Sequence, residues 1–199
     1  TVPVPAGATA VALNLTATRA DQRGYLSAYP CGEPSTVANL NFRPGSAWSA
    51  SAIVNVSGND TVCVATNVTT DVIVDITGSF SEGSGLRYVP VTPTRMLDTR
   101  TGTGGWYPIQ GSQQTLDIRV APPSARAVTG TVTMVRPLDR GYITADACTG
   151  SAPTSSANAS AGAVAANSIT LGISDTGRLC LLASKTGQLL FDTTGWWIP

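Results

Sequence analysis

The stretch Gly24-Tyr25-Leu26-Ser27-Ala28-Tyr29-Pro30-Cys31, continued through Cys63 to Asp75-Ile76-Thr77-Gly78, decides the fold, because it occurs twice. It returns as Gly141-Tyr142, Cys148, Cys180 and Asp192-Thr193-Thr194-Gly195, every member displaced by 117 positions. A repeat of that length is an ordinary domain's worth of chain, so the 199 residues read as two tandem homologous domains.

Working outward, Val11, Leu13, Leu15 and Ala17 alternate with Ala12, Asn14, Thr16 and Thr18, the period-two pattern of a strand with one buried face. Gly24–Tyr29, Ala38–Phe42, Ala52–Val56, Thr61–Thr66 and Val72–Ile76 follow as further strands. Turn signals separate them: Asp21 to Gly24, Arg43-Pro44-Gly45, and Ser57-Gly58-Asn59-Asp60, which reads as a hairpin. No stretch has sustained helical periodicity. Short strands spaced by turns predict an all-β fold of two β-sandwich-like domains, with small β-barrels as the alternative. The expected limits are 1–80 for the first repeat, 81–92 for a linker around Ser81-Glu82-Gly83-Ser84-Gly85, and 93–199 for the second.

Cys31 and Cys63 stand 32 apart, as do Cys148 and Cys180. The duplication favours one disulfide inside each repeat over the other pairings, and four free thiols are the alternative. Disulfides would place the chain in an oxidising compartment, so it is expected to be secreted, extracellular or at a cell surface. The chain opens at Thr1 without a charged-then-apolar leader, so any signal peptide is expected to have been removed. With 12 basic and 12 acidic residues, the chain lacks the basic surface that nucleic acid needs. No apolar run reaches about 18 residues, so no membrane insertion is expected.

Several runs together carry a resemblance: Ala10-Val11-Ala12-Leu13-Asn14-Leu15-Thr16-Ala17-Thr18, Gly24-Tyr25-Leu26, Asn39-Leu40-Asn41-Phe42-Arg43-Pro44-Gly45, Asp71-Val72-Ile73-Val74-Asp75 and Pro93-Thr94-Arg95-Met96-Leu97-Asp98-Thr99-Arg100. The chain resembles a tandem repeat found in secreted actinobacterial proteins, often beside a hydrolase or another repeat. The resemblance implies a secreted accessory module and supplies no chemistry. The first repeat has no Leu-Asp-Thr-Arg arm ahead of it, so an upstream domain of the same precursor, or loss of the arm, is expected.

Catalysis is not expected. The chain has no histidine, which removes Ser-His-Asp and Cys-His chemistry. The two Asp-x-Thr-Gly endings differ from an aspartic-protease Asp-Thr-Gly by one inserted residue, which turns the carboxylate to the other strand face. Asp75 and Asp192 are instead expected to bind a local turn or backbone amide, with a ligand role as the alternative. No cofactor or metal site is expected; Asn59-Asp60 and Asp175-Thr176-Gly177 read as turn chemistry.

The candidate ligand-binding residues are Arg95, Asp98 and Arg100, with Trp106, Tyr107, Trp196 and Trp197. The arginines could grip an acidic sugar or phosphate, or could tie the arm to the sandwich through Asp98. The aromatics could stack on sugar rings, or could cover a contact within the molecule. Two functions follow: a non-catalytic module binding cell-surface or extracellular glycan, or a structural adaptor binding a protein partner.

Overall fold

The computed structural model describes residues 1–33, 35, 37–83, 85–106, 113–150 and 154–199. The chain divides into two compact units, Thr1–Gly85 and Leu86–Pro199. Unit 1 contains β1 (Val2–Pro3), β2 (Ala10–Thr18), β3 (Gly24–Pro30), β4 (Leu40–Phe42), β5 (Trp48–Asn55), β6 (Thr61–Thr66) and β7 (Asp71–Phe80). Unit 2 contains β8 (Arg87–Asp98), β9 (Gln114–Arg119), β10 (Ala127–Val135), β11 (Gly141–Asp146), β12 (Ala157–Ala159), β13 (Val164–Gly172), β14 (Arg178–Ala183) and β15 (Gln188–Ile198). Residues 87–92, expected as linker, belong to β8: the glycine-rich run stops at Gly85, and Tyr88, Val89, Val91 and Thr92 are strand formers.

Each unit is an open pair of antiparallel sheets, and among the described residues none closes into a barrel. Unit 1 has the orders β1-β6-β3-β4 and β5-β2-β7; unit 2 has β12-β11-β14-β9 and β13-β10-β15-β8. Between the sheets lie two separate cores. Val11, Leu13 and Leu15 gather with Leu26, Phe42 and Val62 in unit 1. Val128, Val132, Met134 and Phe191 gather with Leu116, Ile143, Leu179 and Leu181 in unit 2. Both disulfides form within a repeat, Cys31–Cys63 and Cys148–Cys180. Each ties the end of one strand to its neighbour, since Tyr29 pairs with Cys63 and Asp146 with Cys180.

Two sequence expectations change. Ser57-Gly58-Asn59-Asp60 is a turn but not a hairpin: β5 pairs with β2 and β6 with β3, so the chain crosses from one sheet to the other after a single Ser57–Thr61 bridge. Strand β2, expected to be half-buried, is buried on both faces. It is the central strand, and its outward Asn14 and Thr16 are fenced by side chains of β7 and β5, Thr16 Oγ1 lying 2.9 Å from Ser49 Oγ.

The duplicated cores are packed by different side chains. A Cβ at Gly130 would lie 2.5 Å from the Asp192 carbonyl oxygen and 2.7 Å from the Phe191 ring. The corresponding pair in unit 1 is Leu13 with Val74, so bulk has moved from one strand to the other. Gly130→Ala is therefore expected to lower the stability of unit 2 by about 1–3 kcal/mol through overpacking. Denaturant unfolding checks this, and an unchanged midpoint would show that β10 and β15 can separate freely.

Candidate functional site

The Thr-Gly of each Asp-x-Thr-Gly ending is a β-bulge. Register against β2 shifts between Ala12 and Leu13, and against β10 between Thr129 and Gly130, the same place in both repeats. The extra residue is Thr77 or Thr194; its hydroxyl donates back to the carbonyl of Ala12 (3.3 Å) or Thr129 (3.2 Å). Glycine follows because, at Gly195, the Tyr88 ring occupies the space a side chain would need. The aspartate two residues before each bulging threonine thereby sits on the outward side of its sheet.

In unit 2 that aspartate meets the arm. Strand β8 runs antiparallel to β15 with Arg95 opposite Asp192, Leu97 opposite Phe191 and Asp98 opposite Leu190. Arg95 Nε and Nη2 donate to the two Asp192 oxygens at 2.7 and 2.9 Å, a bidentate pair. Leu97 is fully buried in the core. Asp98, almost wholly buried, accepts from Arg100 N (3.0 Å), Nε (2.8 Å) and Nη2 (2.6 Å), and from Arg95 Nη1 (3.3 Å). The Arg100 side chain, foremost, holds the Asp98 carboxyl down to about 2, against an opposing push from burial. Thr99 completes the staple. Its hydroxyl accepts from Leu189 N (3.0 Å) and donates to Gln188 Oε1 (2.7 Å), and its amide donates to the Leu189 carbonyl. Every position of Leu97-Asp98-Thr99-Arg100 thus has a partner inside unit 2.

Sequence reasoning left Asp75 and Asp192 bound to a local turn or backbone amide, and the geometry corrects this. Asp192 takes a guanidinium from β8, and Asp75 takes the Asn14 amide at 3.4 Å. Both are cross-strand partnerships, because strand register sets Asp75 opposite Asn14 and Asp192 opposite Arg95.

The aromatics are also used internally. Trp106 is half-buried against the unit 2 core, and its Nε1 donates to the Asp117 carbonyl (3.3 Å). Trp196 packs on that core, while Trp197 lies with Tyr88, ring centroids 5.0 Å apart, and donates from Nε1 to Thr129 Oγ1 (2.9 Å). In unit 1, Trp48 donates to the Arg43 carbonyl (3.0 Å) beneath the Arg43 guanidinium, 5.0 Å from the ring centroid. Tyr107 lies outside the described residues. The candidate residues therefore divide, with Arg95, Asp98 and Arg100 at the β8–β15 seam, Trp197 farther along that seam and Trp106 beside β9.

A site that the sequence did not single out is the outward face of the sheet β12-β11-β14-β9. Gln113, Thr115, Tyr142, Thr144, Asp146 and Leu182 line a cleft of about 410 Å³ there, floored at one end by the disulfide Cys148–Cys180. Strand pairing aligns Thr144, Leu182 and Thr115 in one row across the sheet. The signal available was Tyr142 in the duplicated Gly-Tyr. Both tyrosines are exposed, and the amide preceding each ring is held by an equivalent acceptor, Asn67 Oδ1 for Tyr25 and Ser184 Oγ for Tyr142. Asp117 sits beside the same disulfide, yet its carboxylate pairs with Arg178 Nε at 2.5 Å. Bonded sulfurs are not thiolate ligands, so this group of three is an ion pair next to a crosslink and not a metal cage.

No protein-family model and no curated protein matches the chain.

Proposed function

We propose that the chain is a non-catalytic accessory module of secreted or cell-surface proteins, working as an adaptor that holds polypeptide partners. The observation that carries this reading is the internal commitment of the recognition groups. The Trp48, Trp106 and Trp197 indoles donate inward, and Arg95, Asp98 and Arg100 are joined to one another and to Asp192. A glycan platform needs aromatic faces and charged forks directed at solvent; here both hold strands together. Two disulfides support an oxidising setting, the absence of histidine leaves no Ser-His-Asp or Cys-His nucleophile, and the resemblance to secreted actinobacterial repeats agrees with an accessory module.

The test is intrinsic tryptophan fluorescence titrated with soluble cell-wall and plant polysaccharides. No saturable change is expected. A saturable change lost in Trp106→Ala would overturn the adaptor reading and restore a glycan site at the aromatics. A second reading rests on the unit 2 cleft, whose exposed Tyr142 stands among the hydroxyls of Thr115 and Thr144, the Gln113 amide and the Asp146 carboxylate, groups suited to a sugar ring. Glycan retention on an affinity gel, lost in Tyr142→Ala and kept in Trp106→Ala, would favour that reading.

A further inference from the structure

The two units contain one natural experiment. Strand β15 has β10 on one side and β8 on the other, whereas its counterpart β7 has β2 on one side and, among the described residues, no strand on the other. The side chains record the difference. Val72, Ile73 and Ile76 of β7 are 38%, 49% and 39% exposed; the corresponding Leu189, Leu190 and Thr193 of β15 are 0%, 5% and 2% exposed. Strand β7 is also long, running Asp71–Phe80, and an edge against which no strand of the described residues lies is a template for another strand.

The polar group matches as well. Asp75 occupies the position of Asp192, including its place two residues before the bulging threonine. Asp192 receives the Arg95 fork, but among the described residues no lysine or arginine lies within ion-pair distance of Asp75, whose one partner is the Asn14 amide at 3.4 Å. Burial pushes the Asp75 carboxyl above its ordinary range, with the Asn14 contact pulling the other way. A half-buried carboxylate without a cation, at the site where its twin binds one, is complementary to an arginine.

We infer that the open edge of β7 is a strand-acceptor site whose occupant is an extended segment of a partner polypeptide, of the β8 type. The inference rests on the adaptor reading and names the partner's chemistry. The segment adds antiparallel to β7 with an arginine opposite Asp75, an apolar residue opposite Val74 and an aspartate opposite Ile73. This is the register of Arg95, Leu97 and Asp98 on β15. Backbone hydrogen bonds supply attraction and the Asp75–arginine fork fixes register, the usual division of labour in β-augmentation. The occupant is not the β8 of a second copy, since that strand already covers its own β15 and an exchange would open one edge for each one closed.

A synthetic peptide with the sequence of residues 87–103, titrated onto the full chain by calorimetry, tests the inference. Saturable binding is expected. It should weaken about tenfold or more in Asp75→Asn, and by a similar factor when the peptide carries alanine in place of Arg95, as loss of a bidentate charged pair predicts. The peptide variant leaves the protein unaltered, so this arm survives any folding defect of Asp75→Asn. Hydrogen exchange should show β7 amides becoming protected in the complex. Absence of binding, or binding indifferent to both changes, would overturn the inference, and Asp75 would then be a charge that protects a bare edge. Concentration-dependent self-association abolished by Asp75→Asn would overturn it in favour of a second copy. Failure of the peptide leaves the adaptor reading to the polysaccharide titration, which does not involve β7.

Discussion

Replacing both cysteines of a unit by serine is expected to lower that unit's stability by about 3–4 kcal/mol, the chain-entropy value for a closed loop of this length. Each bridge spans 32 residues and joins neighbouring strands, β3 to β6 or β11 to β14. Inside each loop, among the described residues, a three-residue strand (β4 or β12) joins the same sheet and a longer one (β5 or β13) joins the other, so the bridge closes a loop that carries strands of both sheets. For a unit of this size the loss corresponds to a midpoint lower by on the order of 15 °C. Unit 1 should suffer first: its strand β6 has a two-residue neighbour, β1, where β14 has the six residues of β9. Thermal unfolding of Cys31→Ser/Cys63→Ser and Cys148→Ser/Cys180→Ser against the parent chain measures both effects. Equal midpoints in all three would mean that the sheets alone hold these strands.

The fold was legible because duplication and period-two alternation are local and redundant. Gly24-Tyr25 and Gly141-Tyr142 mark corresponding strand starts, and the equal cysteine spacing selected the pairing that forms. The seam between β8 and β15 was less legible. Arg95 and Asp192 are 97 residues apart and meet only because β8 is laid along β15, so a sequence reader sees the Arg95, Asp98, Arg100 cluster but not its fourth member. The bulge was hidden for the same reason. Nothing in Asp-x-Thr-Gly alone distinguishes a strand end from an extra residue, and the distinction comes from the register on β2 and β10. The partners of the tryptophans were not legible, because an indole N–H finds a carbonyl or hydroxyl that is distant in sequence, Asp117 for Trp106 and Thr129 for Trp197. The edge of β7, which no strand among the described residues covers, was marked by no local motif. Its consequence, exposed Val72, Ile73 and Ile76 beside Asp75, required knowing which strand the arm covers.

Asp98→Ala is expected to destabilise unit 2 by about 2–4 kcal/mol, since it deletes a buried carboxylate that accepts several charge-assisted hydrogen bonds. The arginines do not become stranded, because Arg100 is partly exposed and Arg95 keeps Asp192. What is lost is the anchor that turns the chain at the end of β8 and presents Thr99 to β15. The cost should therefore fall on the arm, with β8 amides losing hydrogen-exchange protection before those of β10 or β14. Asp98→Asn, which keeps shape and removes charge, should cost less at neutral pH. It also isolates the pH dependence. A carboxyl held down to about 2 in the folded state, against about 4 unfolded, stabilises the fold fully above the unfolded value and loses that contribution as pH falls through the folded one. The stability gap between the parent chain and Asp98→Asn should accordingly be constant above about pH 5 and shrink between about pH 4 and pH 2. A gap that stays constant down to pH 2 would mean that Asp98 works by shape alone, and the two arginines around it would then be solvated surface charges and not the clasp that closes the arm onto the sandwich.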